Sequence, residues 1–186
     1  MSDRAFSESD SPEANGDADE WAIRPADPDD DDPAGEAAAL TSDRRALDPV
    51  RQVLADAGFW AYGTVNDEGR WTVAADDEAG HVDVRVGSDG FAVELWATSP
   101  GLFADEENDF RRRTRERLVR MTLPAINRGL LAPHQSARWD ETEGGVQVRL
   151  RYELPFTRRD DIGAFVREKL PELDETLTFV EERVLE

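Results

Sequence analysis

Apolar positions along this chain fall into two periods. From residue 59 to 97 they recur in short alternating runs, FWAYGTV, RWTVAA, HVDVRV and FAVELWA, separated by NDEG, DDEAG and GSDG. Alternation with a period of two, broken by turns rich in Asn, Asp and Gly, predicts four hairpin-linked antiparallel strands. Val82, Val84 and Val86 share one face of their strand, opposite His81, Asp83 and Arg85; Phe91, Val93, Leu95 and Ala97 share a face of the next. A second pair of strands is predicted from APHQSARWD and VQVRLRYELPF. There Val146, Val148, Leu150, Tyr152 and Leu154 face one way, and Gln147, Arg149, Arg151 and Glu153 the other. One face of such a sheet is packed and the other wet.

Helical spacing flanks these runs. Val50, Val53, Leu54 and Ala57 make one buried face, with Asp48 as N-cap, Pro49 at the first helical position and Gly58 after the last turn; TSDRRAL ahead of it can add a turn. A long helix is predicted over 103–128. Its core-facing stripe is read as Phe110, Thr114, Leu118, Met121 and Ala125. A last helix opens after TRRD, runs through Ile162, Phe165, Val166 and Leu170, is interrupted at Pro171, and resumes with Leu173, Leu177, Val180 and Val184.

Residues 1–42 show no sustained apolar period, and such a segment cannot bury enough surface to offset its ordering entropy. The expectation is a disordered acidic tail over 1–43 and one α+β domain over 44–186. The sheet is in α-β4-α-β2-α order, packed against the long central helix. Within the tail, DEWAIRP sets Trp21 and Ile23 alone in acidic sequence. They are either incidental or a short docking motif. Asp29 to Asp32 lack the glycine turn and flanking ligands of a calcium loop and read as a solvated run.

Charge changes the picture in two ways. The net charge is −20, and residues 1–43 hold 14 acidic side chains against two arginines. Lys169 is the single lysine. Abundant acid with almost no lysine resembles the proteins of salt-loving archaea. At about 1 M salt the Debye length is only ~3 Å, so such a charge acts as a solubility device. Against this background DEENDFRRRTRERLVR, residues 105–120, carries six arginines and five acids. Glu107 with Arg111, Asp109 with Arg113, and Glu116 with Arg120 are spaced as i,i+4 ion pairs, acid first. The run therefore reads as a compensated, solvated helix face. Arg111, Arg112 and Arg115 are its candidates for a small anion or protein-contact site.

Catalytic signatures are few. Cysteine is absent, so disulfide, thiolate and sulfur-ligated metal chemistry are excluded. No Gly-x-Gly-x-x-Gly, Walker A or His-Glu-x-x-His motif occurs. His81 and His134 read as surface or strand-end side chains. No catalytic residue, metal or cofactor is expected. Trp96 alternates opposite to Val93 and Leu95, so it points away from the core and is either a contact residue or covered by another element. No segment approaches the ~20 apolar residues that cross a bilayer, nor does residues 1–20 hold a signal-peptide core, so a cytoplasmic location without membrane is expected.

Two stretches carry a family resemblance. LVRMTLPAINRGLL, 118–131, resembles the central helix of the YbjN-like family and the wider type III secretion chaperone-like fold. VQVRLRYELPFTRRDDIGAFVREKLPELDETL, 146–177, resembles its last strand and closing helix. The resemblance implies an α+β domain, often dimeric, that binds other polypeptides or acts as a chaperone or regulator. The acidic tail and the proline-broken last helix depart from the family. A non-enzymatic protein-binding module, with a protein or a second copy as partner, is therefore the first reading. The second is a small-ligand binder or hydrolase with a cavity lined by Trp60, Tyr62, Trp71, Tyr152 and His81. The third, disfavoured by the compensated charge, is a nucleic-acid binder through the arginine helix.

Overall fold

The computed structural model describes residues 33–66 and 68–185. Elements follow in the order α1 (Pro33–Asp56), β1 (Trp60–Val65), β2 (Trp71–Asp77), β3 (Gly80–Val86), β4 (Gly90–Ser99), α2 (Asp109–Gly129), β5 (Gln135–Asp140), β6 (Gly145–Pro155), a 3-10 turn (Phe156–Asp161) and α3 (Ile162–Leu185). The strands form one antiparallel sheet ordered β1-β2-β3-β4-β6-β5. Short hairpins set the registers of β1 to β4, because a two-to-five-residue connection leaves few alternative pairings. The long return through α2 places β6, rather than β5, beside β4.

The alternating positions sort as the pattern predicts. Val73, Val82, Val84, Val93, Leu95, Val148 and Leu150 are buried on one face, where the inward side chains of all three helices join them in a single cluster. Across β4 and β6 lies α3, while α2 lies against β5. The sheet is thus backed chiefly by the closing helix, not by the long central one. Pro171 does not interrupt α3, which is continuous from Ile162 to Leu185. Val166 and Leu173 are buried on either side of the missing N–H, and their burial holds the helix through it.

Helix α1 corrects two expectations. It begins at Pro33, so Asp48 is not its N-cap and Pro49 lies inside it. Of the tail assigned to 1–43, residues 33–43 are helical; residues 1–32, Trp21 and Ile23 among them, lie outside the described residues. The upstream turns hold because Asp43 and Leu47 are both buried and the Asp43 carboxylate accepts from Arg70 Nε at 2.7 Å, tying α1 to the start of β2. Gly58 ends the helix with φ +93°, the left-handed geometry expected there.

The rotation of α2 is set by Asn127. Its Oδ1 accepts from the Ala137 amide at 2.7 Å and its Nδ2 donates to the Ala137 carbonyl at 2.8 Å. Ala137 lies on the edge strand, so one side chain satisfies backbone groups that an exposed edge would otherwise present to other chains. Asn127→Ala leaves both groups unpaired in a half-buried place. The expected cost is about 1–2 kcal/mol, read as a lower urea midpoint; an unchanged midpoint would show that water replaces Asn127 without loss.

Candidate functional site

Helix α2 starts at Asp109, not near 103, because Asn108 Oδ1 caps it by accepting from the Arg111 amide at 3.1 Å. Its inward face is Val119, Leu123 and Ile126. The stripe read from the sequence as core-facing points the other way: Phe110 is 79%, Leu118 57% and Met121 66% exposed. Thr114 and Ala125, between them, are exposed as well. Two apolar stripes share this helix, and the period of 3.6 marks both. Asn127, together with Arg112 and Glu116 in the half-buried positions above Val119, decides which one turns inward.

The ion pairs also differ from those the spacing predicts. Of the three i,i+4 pairs only Glu116–Arg120 is present, at 3.9 Å. Asp109 pairs instead with Arg112 at 2.6 Å, and Arg112 lies 3.9 Å from Glu116. Arg120 reaches Glu141 at 2.7 Å and sits over the Trp139 ring. Arg115 pairs with Glu106 at 3.6 Å and sits over Phe103. Among the described residues, Arg111, Arg113, Arg117 and Arg128 form no ion pair. At 100° per residue Arg111 flanks the exposed stripe on one side, Arg113 and Arg117 on the other, and Arg128 continues its line. Arg111 thus belongs to the exposed face, whereas Arg112 and Arg115 are held at its back and side. The sequence did carry a signal: counted from the cap, Asp109–Gly129 holds seven arginines and only two acids. Three further acids at 105–107 belong to the preceding loop, and including them hid the imbalance.

The sheet face away from the helices is polar and internally paired. Glu94 bridges Arg149 at 2.7 Å and Arg151 at 2.9 Å. Gln147 accepts from Arg138 and Arg149 and donates to Thr98 and Asp140. Trp96 does point to this face, where it stacks on His81 with ring centres 4.1 Å apart and donates from Nε1 to Asp83 at 3.0 Å. Burial pushes the Asp83 carboxyl upward, against the hydrogen bond from Trp96. His81 Nδ1 is in close contact with Asp76. Trp96 is thus engaged by its own sheet; among the described residues the exposed tryptophan is Trp60, 75% accessible beside Tyr62 on the edge strand β1.

Clefts do not gather the aromatic side chains named for a ligand cavity. Trp60, Tyr62 and His81 lie on the open face, and Trp71 and Tyr152 on the helix side. An open cleft of about 400 Å³ is lined by Thr64, Asp83, Arg85, Glu94 and Arg149; another of similar size lies by Pro133, His134 and Tyr152. Among the described residues no group of three or more His, Asp or Glu side chains is placed to hold a metal ion. Nor is any helix there long and apolar enough to cross a membrane.

A second polar cluster joins α3 to the sheet. The Glu172 carboxylate is in contact with His134 Nε2 at 2.6 Å and accepts from Tyr152 Oη at 3.0 Å, Lys169 Nζ at 3.2 Å and Gln135 Nε2 at 3.3 Å. Burial alone would raise its pKa, but the hydrogen bonds from His134, Tyr152 and Lys169 together outweigh it and hold the carboxyl at about 2. Burial, then the bond to Glu172, pushes the Tyr152 phenol well above its usual value. His134, Tyr152, Lys169 and Gln135 converge on Glu172, and Gln135 Nε2 also donates to Thr176 Oγ1 at 3.2 Å, so the cluster works as a clasp between α3, β5 and β6. No family model, curated protein or solved structure matches the chain.

Proposed function

We propose that this chain is a non-enzymatic polypeptide-binding module, chaperone-like or regulatory, of the YbjN-like kind, acting in the cytoplasm. The outward face of α2 is its docking surface. One observation carries the reading: a helix already anchored by Val119, Leu123 and Ile126 exposes a second apolar stripe, Phe110, Leu118 and Met121, on its far side. A large exposed apolar stripe on an otherwise highly charged molecule marks a place where another surface is buried. An amphipathic helix face is read by partners through anchors spaced i, i+3, i+4 and i+7, and Leu118 with Met121 keeps that spacing one turn beyond Thr114. A second copy of the chain is one occupant that the resemblance allows.

The test is the double variant Leu118→Glu, Met121→Glu in the full chain. Both side chains face solvent, so thermal stability is expected to stay within about 0.5 kcal/mol of the parent. Proteins co-captured stoichiometrically from native-salt host lysate, or a dimer seen by light scattering, are expected to be lost. The same captured set and the same mass from parent and variant would refute the proposal. A fall in stability of several kcal/mol would instead mean that the stripe is core.

A further inference from the structure

We infer that the outward face of α2 selects an acidic polypeptide segment with spaced large apolar side chains. This rests on the docking reading above and names its partner. The charge of the helix is the first reason. Both of its acids, Asp109 and Glu116, are already engaged by Arg112 and Arg120, so the four arginines without ion pairs are uncompensated around the stripe. They rim the apolar side chains on both sides, where carboxylates flanking an apolar ridge on a partner would meet them. Arg is suited to this, since its planar fork pairs bidentately with carboxylate.

The length of the stripe is the second reason. From Phe110 to Ala125 at 1.5 Å per residue it spans ~22 Å, which four turns of a partner helix would cover. The small side chains of Thr114 and Ala125 leave room between Phe110, Leu118 and Met121 for the partner's own apolar groups.

The alternatives fit the same face less well. A second copy would bring the same seven arginines and two acids against each other. A nucleic acid would use the arginines but strand Leu118 and Met121, and Phe110 alone could stack on a base. An anionic membrane would have only three large apolar side chains to take into its interface.

The experiment is fluorescence anisotropy with the full chain and three synthetic 16-residue helical peptides. Each carries leucine at four positions spaced i, i+4, i+8, i+11, flanked by Glu, by Gln or by Lys. Phosphatidylserine vesicles and a 20-nucleotide single-stranded DNA serve as further probes. The Glu peptide is expected to bind about tenfold tighter than the Gln peptide, with the margin shrinking as salt screens the charges. Arg113→Glu with Arg117→Glu, which breaks no ion pair of the described residues, should erase the margin and leave Gln-peptide binding unchanged. Leu118→Glu should abolish binding of both peptides. Equal binding of the Glu and Gln peptides overturns the charge selection while leaving the docking reading intact. Tighter binding of vesicles or DNA than of the Glu peptide overturns the proposed partner class. Absence of any peptide binding, with lysate capture still lost in the Leu118→Glu, Met121→Glu variant, also overturns it, whereas capture untouched by that variant removes the docking surface itself.

Discussion

Gly145→Ala is expected to destabilise the domain by about 3 kcal/mol or more, a large share of the roughly 5–15 kcal/mol that keeps an ordinary domain folded. Gly145 opens β6, where the chain leaving β4 crosses the β5–β6 turn. The Gly101 amide donates to the Glu143 carbonyl at 2.8 Å, and the Leu102 amide to the Gly144 carbonyl at 3.2 Å. A Cβ on Gly145 would stand 1.6 Å from the Ser99 carbonyl oxygen and 2.7 Å from its carbon. These are backbone atoms, so no side chain can swing away. Relief requires parting β4 from β6 at the end of their ladder, the longest in the sheet. Gly129→Ala is the control. No atom comes within 4 Å of a Cβ there, and it closes α2, so the change should be neutral or stabilise by up to about 1 kcal/mol. Urea unfolding of both variants decides; a Gly145→Ala midpoint equal to the parent's would mean that the crossing is not as close as described.

Glu172→Leu is the second large effect, with an expected cost of about 2–4 kcal/mol. The substitution leaves His134, Tyr152 and Lys169 with donors pointing at an apolar side chain, and of the polar ties from α3 to β5 and β6 through this cluster only Gln135 to Thr176 remains. The pH dependence follows from the direction of the shift. The folded pKa of about 2 lies below the ordinary 4.5, so the contribution of Glu172 is fully present above pH 4.5. It is lost as pH falls from there through 2, because protons then bind the unfolded carboxyl more readily than the folded one. Tyr152 has the opposite sign. Its folded pKa is raised, so its contribution is present below pH 10 and is lost as pH climbs beyond that value. Glu172→Gln should therefore flatten the stability profile between pH 4.5 and 2 relative to the parent. Parallel profiles across that window would show that other carboxylates govern acid unfolding.

The strands were legible in advance because their information is local. Val82, Val84 and Val86, or Val146 through Leu154, declare a face by alternation alone, and turns such as NDEG place the next strand beside the last. The same rule pointed Trp96 to the open face. It could not say that His81 and Asp83 would take up its ring and its N–H, since that depends on a cross-strand register. Boundaries fared less well. Asp48 and Pro49 have the chemistry of a helix start, yet α1 begins at Pro33. Asp43, whose burial by Arg70 keeps the earlier turns in place, finds that partner 27 residues away. Pro171 misled in the same manner: one missing backbone bond is outweighed by the buried side chains around it.

The candidate site was half legible. Its arginines and its apolar stripe are plain in residues 105–128, but the periodicity does not say which side of the helix faces the core. A helix with two apolar stripes is symmetric to any periodicity argument, and choosing between them takes a contact from outside the helix. Here that contact is Asn127 on the edge of β5. The ion pairs follow the same logic, since spacing permits both Asp109–Arg113 and Asp109–Arg112, and the rotation of the helix selects the second. The sequence by itself determined the α+β class, the six strands, the inward faces of β3, β4 and β6, and the composition of an arginine-rich helix, because each is written in neighbours a few residues apart. Only the tertiary structure decided that β6 lies beside β4, that α3 rather than α2 backs the centre of the sheet, and that Phe110, Leu118 and Met121 face solvent. Those outcomes depend on which distant surfaces bury each other, and chain-local spacing does not encode it.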